Sequence, residues 1–274
     1  MSASPPGVAA ASPRSMPFAD RKHRRYWWHW GKSRRYVPDV YSCLRADEWD
    51  VLQAWYDETE RLELMGEMAV PMVSVLRGFI VGSGVSAIVQ LGHYAGYSTL
   101  LLGFALRRMR RQKALFSIDI DRRCTEFTGT WVGKAGLGDQ VALHLGDSAD
   151  PACADAAMAY LDRPPQVVIV DSSHQYAHTL RELDLWYDRL PPGGMIFMHD
   201  SSEYAATFDS KRTGGVRRAL LEWLPKLPAG SAILIQGDAD LTGQKGTPYA
   251  DGCGLAIIQK PAPPLVPISP PPGC

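Results

Sequence analysis

Four aspartates of this sequence each follow a short apolar run, and their recurrence suggests a shared site. They are Asp119, Asp147, Asp171 and Asp200. A carboxylate at the end of a strand can accept hydrogen bonds from both hydroxyls of a ribose, or it can bind a divalent cation. Two histidines add groups that titrate near neutral pH, since His174 lies three residues after Asp171 and His199 directly precedes Asp200. One such aspartate alone would more often be a helix cap, but four of them favour a ligand site.

The elements that must position these residues are strands alternating with helices. The expected strands are 87–91, 114–118, 141–145, 166–170, 195–198, 232–235 and 255–258. Helical stretches such as 98–110 and 176–190 separate them. This alternation favours a parallel sheet covered on both faces, in which ligands bind at the carboxyl edge of the strands. The sequence therefore predicts a Rossmann-like, doubly wound α/β fold with a mostly parallel, seven-stranded sheet.

A turn with two glycines, GHYAGYS at 92–98, follows the first strand. Glycines there allow a ligand to approach the backbone, and the next helix offers unpaired N–H groups. Alone, this spacing is more often a tight turn than a cofactor site. The segment GSGVSA at 82–87 matches the dinucleotide pattern formally, but it precedes a strand instead of following one and is rejected. Together with Asp119 and Asp147, the turn at 92–98 favours an adenosyl ligand.

The segment QLGHYAGYS at 90–98 resembles the first motif of the catechol-type O-methyltransferases, ELG-x-Y-x-GYS, and SIDID at 117–121 is similar to their ribose-binding strand end. This resemblance implies S-adenosylmethionine (SAM) as the cofactor, with its ribose on Asp119. The other cofactor-binding residues that it implies are Gly92, Tyr94, Gly96 and Ser98 around the methionine moiety, Asp147 and Ser148 at the adenine, and Asp171. The sequence departs from the motif at Gln90, because an amide lacks the attraction of a carboxylate for the ammonium group of SAM.

A second resemblance covers 87–260 and is carried by DSSHQY at 171–176, DLW at 184–186 and PGGMIFMHD at 192–200. These motifs resemble a bacterial family that includes enzymes methylating macrolide sugars and the methyltransferase-like proteins of cephamycin biosynthesis. The resemblance implies that Asp171, His199 and Asp200 hold a metal ion. Oxygen ligands suit Mg²⁺, whereas a histidine ligand admits Mn²⁺ or Fe²⁺. His199 could equally contact the substrate or form a hydrogen bond within its loop.

His174 stands where the macrolide-sugar enzymes carry a histidine and the catechol-type enzymes a lysine base. A hydroxyl must lose its proton as it attacks the methyl group of SAM, and imidazole titrates near neutral pH. A metal would lower the pKa of that hydroxyl and orient its oxygen. We therefore expect His174 to be the catalytic base; the alternative is a cap on the helix that follows Gln175.

Length and composition restrict the remaining classes. The chain has 274 residues, of which 46% are hydrophobic and 21% charged, and its formal net charge is zero. These values are ordinary for a globular protein, and the overall charge favours no particular partner. The five cysteines lack the spacing of a zinc site or a disulfide framework, and we find neither a signal peptide nor a membrane span. A cytoplasmic protein without a membrane partner is expected.

The expected organisation has four parts: a basic, aromatic and Pro-rich leader at 1–40, a helical extension at 41–86, the methyltransferase domain at 87–260 and a disordered Pro-rich tail at 261–274. The extension is expected to contain a helix at 47–67 with Asp47 as its N-cap. The leader contains RKHRRYWWHWGKSRRY at 21–36, which could contact nucleic acid, cover the acceptor site or a neighbouring subunit, or be a partly disordered tail.

The sequence as a whole predicts a SAM-dependent O-methyltransferase, assisted by a divalent metal, for a hydroxyl of a sugar-bearing or polyhydroxylated small molecule of the natural-product type. A metal-independent N- or carboxyl-methyltransferase using the same pocket is the alternative within enzymes. A non-catalytic SAM-binding scaffold protein and an RNA methyltransferase guided by the leader are the alternatives outside small-molecule chemistry. Nucleic acid is not the expected partner, and a homo-oligomer is compatible with the sequence.

Overall fold

The computed structural model describes residues 38–228, 231–236, 249 and 251–262, which form a seven-stranded sheet with helices on both faces. The strands are β1 (Ile88–Leu91), β2 (Leu115–Asp119), β3 (Val141–Leu145), β4 (Val167–Val170), β5 (Met195–His199), β6 (Ala232–Ile235) and β7 (Leu255–Gln259). The helices are α1 (Asp39–Ser42), α2 (Ala46–Arg61), α3 (Val70–Ser83), α4 (Tyr97–Arg108), α5 (Arg122–Lys134), α6 (Pro151–Leu161), α7 (Tyr176–Arg189) and α8 (Gly215–Trp223). Short 3₁₀ helices cover Ala205–Phe208 and Leu224–Lys226.

The strand order is β3-β2-β1-β4-β5-β7-β6. The first five strands of this order are parallel, and β7 runs antiparallel to both of its neighbours. The predicted Rossmann-like, doubly wound fold is confirmed, and the predicted strands agree with the observed ones to within one residue at each end. Helices α5 and α6 have no counterpart in the prediction, although each follows an aspartate N-cap, Asp121 and Asp150.

The core lies on both faces of the central strands, as a parallel sheet requires. Every residue of β1 and β4 is buried. One face packs against α2, α3 and α4, with Trp55 and Phe104 among its largest fully buried side chains, and the other packs against α6, α7 and α8 around Trp186. Since helices cover both faces of the sheet, we expect a ligand to bind at the edge formed by the carboxyl ends of the strands.

Helix α2 differs from its prediction at both ends. Asp47 was expected as the N-cap of a helix at 47–67, but the observed cap is Arg45, so that expectation is wrong. Glu48 causes the shift, because its carboxylate accepts a hydrogen bond from the Arg45 amide at 2.9 Å and so satisfies a donor that the helix leaves unpaired. The chain at 62–69 is a loop instead of a helix.

Two polar contacts hold α2 on the sheet domain. The buried carboxylate of Glu48 accepts hydrogen bonds from Arg107 at 2.8 Å and from Arg108 at 3.0 Å, and both arginines lie on α4. The indole N–H of Trp55 donates to the carbonyl oxygen of Ala95 at 2.7 Å, in the turn between β1 and α4. Helix α2 therefore supports the glycine-containing turn directly.

The chain before residue 38 and after residue 262, which holds most of the predicted leader and tail, lies outside the described residues. Among the residues that are described, none of the helices combines the length and the apolar character needed to cross a bilayer.

The ends of β1 and β4 lie side by side, and their backbones approach each other closely. Gly92 donates its N–H to the carbonyl oxygen of Ile118 at 2.8 Å, and Asp171 donates its N–H to that of Leu91 at 2.9 Å. A Cβ on Gly92 would lie 2.0 Å from the carbonyl oxygen of Asp171, and the φ of Gly92 is 84°. Only glycine fits this position without moving one of the two strand ends.

We expect Gly92→Ala to destabilise the protein strongly, because it adds overpacking, typically about 1–3 kcal/mol, to the strain of a left-handed backbone, roughly 1–2 kcal/mol. Urea unfolding followed by circular dichroism measures the change. Gly78→Ala is the matched control, since Gly78 lies inside α3 with nothing within 4 Å of an added Cβ. The control should gain about 0.5–1 kcal/mol. Equal stability of the two variants would contradict the close approach at Gly92.

Candidate active site

A cavity of about 470 Å³ opens at the carboxyl ends of β1 to β4. The predicted cofactor-binding residues that line it are Gly92, Tyr94, Ser98, Asp119, Asp147, Ser148 and Asp171, and His174 lines it as well. Gly96 is not among the lining residues: a Cβ there would lie 2.7 Å from Cγ2 of Thr128 on α5, so this glycine allows close helix packing. His199 and Asp200 are buried behind the cavity, in contact with Asp171 and His174.

Asp119 is held rigidly at the end of β2. Its Oδ2 accepts hydrogen bonds from the backbone amides of His93 at 3.1 Å and Tyr94 at 2.8 Å, and its Oδ1 accepts one from the amide of Asp121 at 2.9 Å. Each carboxylate oxygen can accept more than one hydrogen bond. The carboxylate is therefore fixed in orientation and keeps acceptor capacity toward the cavity.

The side chain of Gln90 lies beneath the turn, fully buried. Its Nε2 donates to Ser98 Oγ at 2.7 Å and to the Gly92 carbonyl oxygen at 3.1 Å, while its Oε1 accepts from the hydroxyls of Thr99 at 2.9 Å and Ser117 at 3.3 Å. All four contacts are internal. Gln90 thus fixes the turn and the start of α4, and Ser98 keeps its hydroxyl proton for another acceptor.

A loop that the sequence reasoning missed forms one wall of the cavity. The residues of this wall are Leu64, Met65, Gly66, Glu67 and Met68. The hydroxyl of Tyr94 donates to the carbonyl oxygen of Met65 at 3.3 Å and so joins this wall to the glycine-containing turn. No local pattern in the sequence indicates that the helical extension reaches the site.

His93 lines the cavity but is not a candidate base. Burial lowers the pKa of its imidazole to about 4, although the carboxylate of Asp119 opposes this shift. Its ring nitrogens lie 3.1 Å from the hydroxyl oxygens of Ser117 and Thr125. His93 is therefore neutral at ordinary pH, and its ring forms hydrogen bonds with the two neighbouring hydroxyls.

The end of the cavity near Asp147 contains a histidine and a glutamate that were not predicted. His178 Nε2 lies 2.7 Å from Asp147 Oδ1, and His178 Nδ1 lies 3.4 Å from Glu182 Oε2. Glu182 is fully buried and accepts hydrogen bonds from the hydroxyls of Ser148 and Ser172. Their i, i+4 spacing on the buried face of α7 is the only local signal that could have found them.

The pKa of His178 is raised above its ordinary value. Burial acts to lower it, but the carboxylate of Glu182, followed by that of Asp147, outweighs that effect. The two carboxylates therefore stabilise a charged imidazolium between them, and His178 orients Asp147 at the cavity wall.

Asp171 and His174 line the cavity at its other end and form one cluster with His199 and Asp200, which lie behind it. His174 Nε2 lies 2.9 Å from Asp200 Oδ2. His199 Nδ1 lies 3.3 Å from Asp171 Oδ1 and 3.5 Å from Asp200 Oδ2. His174 and Asp200 both have a left-handed backbone, with φ of 56° and 58°, a conformation that non-glycine residues adopt at a cost and that is common in functional sites.

The electrostatics of this cluster favour positive charge. Burial acts to lower the pKa of both histidines, yet Asp200 and Asp171 raise it above the ordinary value for His174 and well above it for His199. The pKa of Asp200 is lowered despite burial, because His199 and His174 stabilise its carboxylate. The carboxylate of Asp200 therefore stabilises the protonated form of both histidines.

Potential metal-ligand atoms of Asp171, His174 and Asp200 lie within 4.8 Å of one another, and so do those of His199, Asp200 and Cys253. Two carboxylates and imidazole nitrogens are a fitting donor set for a divalent cation. Burial raises the pKa of the Cys253 thiol. The fit of this site to a metal rests on the aspartates and histidines.

Residues 89–201 match the methyltransferase domain family. This stretch contains the turn after β1, Asp119, Asp147, Asp171 and both histidines of the cluster. Over this stretch the chain is similar to methyltransferase domains.

Solved structures of O-methyltransferases have the same fold as this chain. The O-methyltransferase from Bacillus cereus, in complex with SAH, is 18% identical, with a TM-score of 0.62 over 85% of this chain and 99% of that chain. The O-methyltransferase TomG from Streptomyces achromogenes, involved in tomaymycin synthesis and in complex with SAM, is 20% identical, with a TM-score of 0.58 over 80% of this chain and 91% of that chain. A comparison with curated proteins finds no match.

We expect His178 to make the stability of the protein depend on pH. Because its pKa is raised in the folded state, its stabilising contribution is present below the ordinary value of 6.5 and is lost as the pH rises through the raised value. The difference in the free energy of unfolding between wild type and His178→Gln should therefore be larger at about pH 5.5 than at about pH 8.5. Urea unfolding at both pH values measures it, and a difference that grows with pH would contradict the ion pairs with Asp147 and Glu182.

Proposed function

We propose that this protein is a class I SAM-dependent methyltransferase that transfers the methyl group of SAM to a hydroxyl oxygen of a ring-bearing, polyhydroxylated small molecule, with the assistance of a divalent cation. The observation that carries the proposal is the shared cavity. Asp119 and Ser98 line it, and so do Asp171 and His174, which follow β4. A cofactor on the first pair and an acceptor on the second would therefore meet in one space.

The cofactor end of the cavity fits SAM. Gly92 leaves the backbone open to a ligand, Asp119 keeps acceptor capacity for ribose hydroxyls, and Ser98 keeps a hydroxyl proton to donate. Asp147 and Ser148 would hold the adenine. When bound, SAM supplies a methyl group on a positively charged sulfur.

The acceptor end fits a cation and a base side by side. Asp171, Asp200 and His199 would hold the cation, which would lower the pKa of an acceptor hydroxyl bound to it. His174 donates from Nε2 to Asp200, which orients the ring and leaves Nδ1 to accept the hydroxyl proton.

The acceptor class follows from the surface beside His174. The ring of Phe208 lies 5.7 Å from the His174 ring, and Tyr204 packs edge-on against Phe208 at 5.4 Å. Tyr204 is 46% exposed and Phe208 39% exposed. Exposed aromatic faces beside a catalytic base suit the flat side of an aromatic ring or a sugar. The natural-product role of the similar TomG is consistent with such an acceptor.

His174→Ala tests the base. We expect turnover to fall about 10²- to 10⁴-fold, because proton removal then depends on water. Binding of SAH, measured by calorimetry, and binding of Mn²⁺, measured by electron paramagnetic resonance, should stay within about twofold of wild type. His144→Ala is the matched control, since His144 lies on β3 and does not line the cavity. A loss of Mn²⁺ binding in His174→Ala would make His174 a metal ligand instead of the base.

Chelation tests the metal. Activity with isotopically labelled SAM on a panel of glycosides, catechols, amines and carboxylates should appear only with hydroxyl acceptors, vanish after treatment with EDTA and return with added Mn²⁺ or Mg²⁺. Mass spectrometry of the product locates the methyl group. Full activity after chelation would favour the metal-independent alternative, in which the His174–Asp200 pair alone removes the proton.

A further inference from the structure

His199 presents its two ring nitrogens to two different sets of carboxylates. Nδ1 faces Asp171 and Asp200, at 3.3 Å and 3.5 Å, and Nε2 lies 3.0 Å from Oδ2 of Asp251. The side chain of His199 is 8% exposed, so water does not compete for either nitrogen. The orientation of this ring is decided by protein contacts on both sides.

Asp251 is a fixed acceptor behind His199. It is buried, its Oδ1 accepts a hydrogen bond from the amide of Cys253 at 3.0 Å, and its Oδ2 accepts one from the hydroxyl of Tyr249 at 3.3 Å. Ser202 ties the same segment down, because its hydroxyl donates to the carbonyl oxygen of Gly252 at 2.7 Å. The segment leads directly into β7, which pairs with β5 so that Leu255 lies opposite His199. Sheet pairing therefore sets the distance between Asp251 and the imidazole.

This arrangement decides which ring nitrogen of His199 can bind a cation. An ionised carboxylate only accepts hydrogen bonds, so the contact with Asp251 keeps a proton on Nε2. A cation between Asp171 and Asp200 would therefore meet Nδ1, the nitrogen that faces these two aspartates. A histidine ligand whose other nitrogen donates to a carboxylate is a recurrent arrangement in metal sites, and the carboxylate fixes the ring and raises its basicity.

We propose that Asp251 is a positioning residue that makes His199 a nitrogen ligand through Nδ1, so that the site prefers Mn²⁺ to Mg²⁺. The inference rests on the proposed metal assistance. It adds Asp251 as the residue that makes a nitrogen of His199 available to the metal. Mg²⁺ favours oxygen ligands and near-ideal octahedral geometry, whereas imidazole nitrogen suits the transition metals. A site with His199 Nδ1 between Asp171 and Asp200 offers such a nitrogen and therefore suits a transition metal.

The test is a titration of the full-length protein with Mn²⁺, followed by electron paramagnetic resonance, and a competition with Mg²⁺. Wild type should bind Mn²⁺ more tightly than Mg²⁺. Asp251→Asn should weaken Mn²⁺ binding about 10- to 100-fold, the range typical of residues that support a metal ligand. His199→Gln should remove the preference for Mn²⁺, because an amide oxygen replaces the nitrogen. Asp155→Asn, an exposed carboxylate on α6, is the matched control and should leave Mn²⁺ binding unchanged.

Binding of SAH separates a local effect from misfolding, since Asp251 does not line the cavity and Asp251→Asn should bind SAH as wild type does. If Asp251→Asn fails to bind SAH, His199→Gln and the wild-type ion preference decide the question. Two results would overturn the role of Asp251 while the metal assistance stands. One is that wild type binds Mg²⁺ as tightly as Mn²⁺, and the other is that Asp251→Asn binds Mn²⁺ within twofold of wild type. Wild type that binds neither ion overturns both.

Discussion

The close contact between the ends of β1 and β4 is the constraint on which the site depends. In their parallel register Leu91 lies opposite Val170, so the two chains leave the sheet together, with Gly92 against the carbonyl oxygen of Asp171. The turn after β1 leads to the cofactor side of the cavity, and the loop after β4 leads to His174. One backbone contact therefore sets the distance between the two halves of the reaction, and the absence of a side chain at Gly92 is what permits it.

The same electrostatic principle operates at both ends of the cavity. A buried charge is costly unless it is paired, and here two histidines lie between carboxylates. His178 lies between Asp147 and Glu182, and His199 lies between Asp251 and the pair formed by Asp171 and Asp200. The clusters differ in their surroundings. The hydroxyls of two serines donate hydrogen bonds to Glu182, so this carboxylate is occupied by protein contacts. Asp171, by contrast, still lines the cavity and can bind a ligand.

The helical extension is part of the site as well as a support for it. Helix α2 contributes Trp55 to the cavity wall, and its indole holds the turn after β1 through the carbonyl oxygen of Ala95. The loop after α2 adds Met65, whose carbonyl oxygen accepts the hydroxyl of Tyr94. Glu48 anchors this unit to α4 through two arginines. Movements of the extension would therefore change the cofactor end of the cavity directly.

The sequence by itself determined the sheet and the edge at which a ligand binds. Apolar runs that alternate with helices leave few arrangements besides a parallel sheet, and parallel strands end on one edge, so Asp119 and Asp171 could be placed together from spacing alone. Only the tertiary structure decided the partners of the buried groups. His178 meets a carboxylate 31 residues away in the chain, and His199 meets Asp251 across 52 residues. Such contacts depend on how helices and loops pack over the sheet, and local periodicity carries no information about that packing.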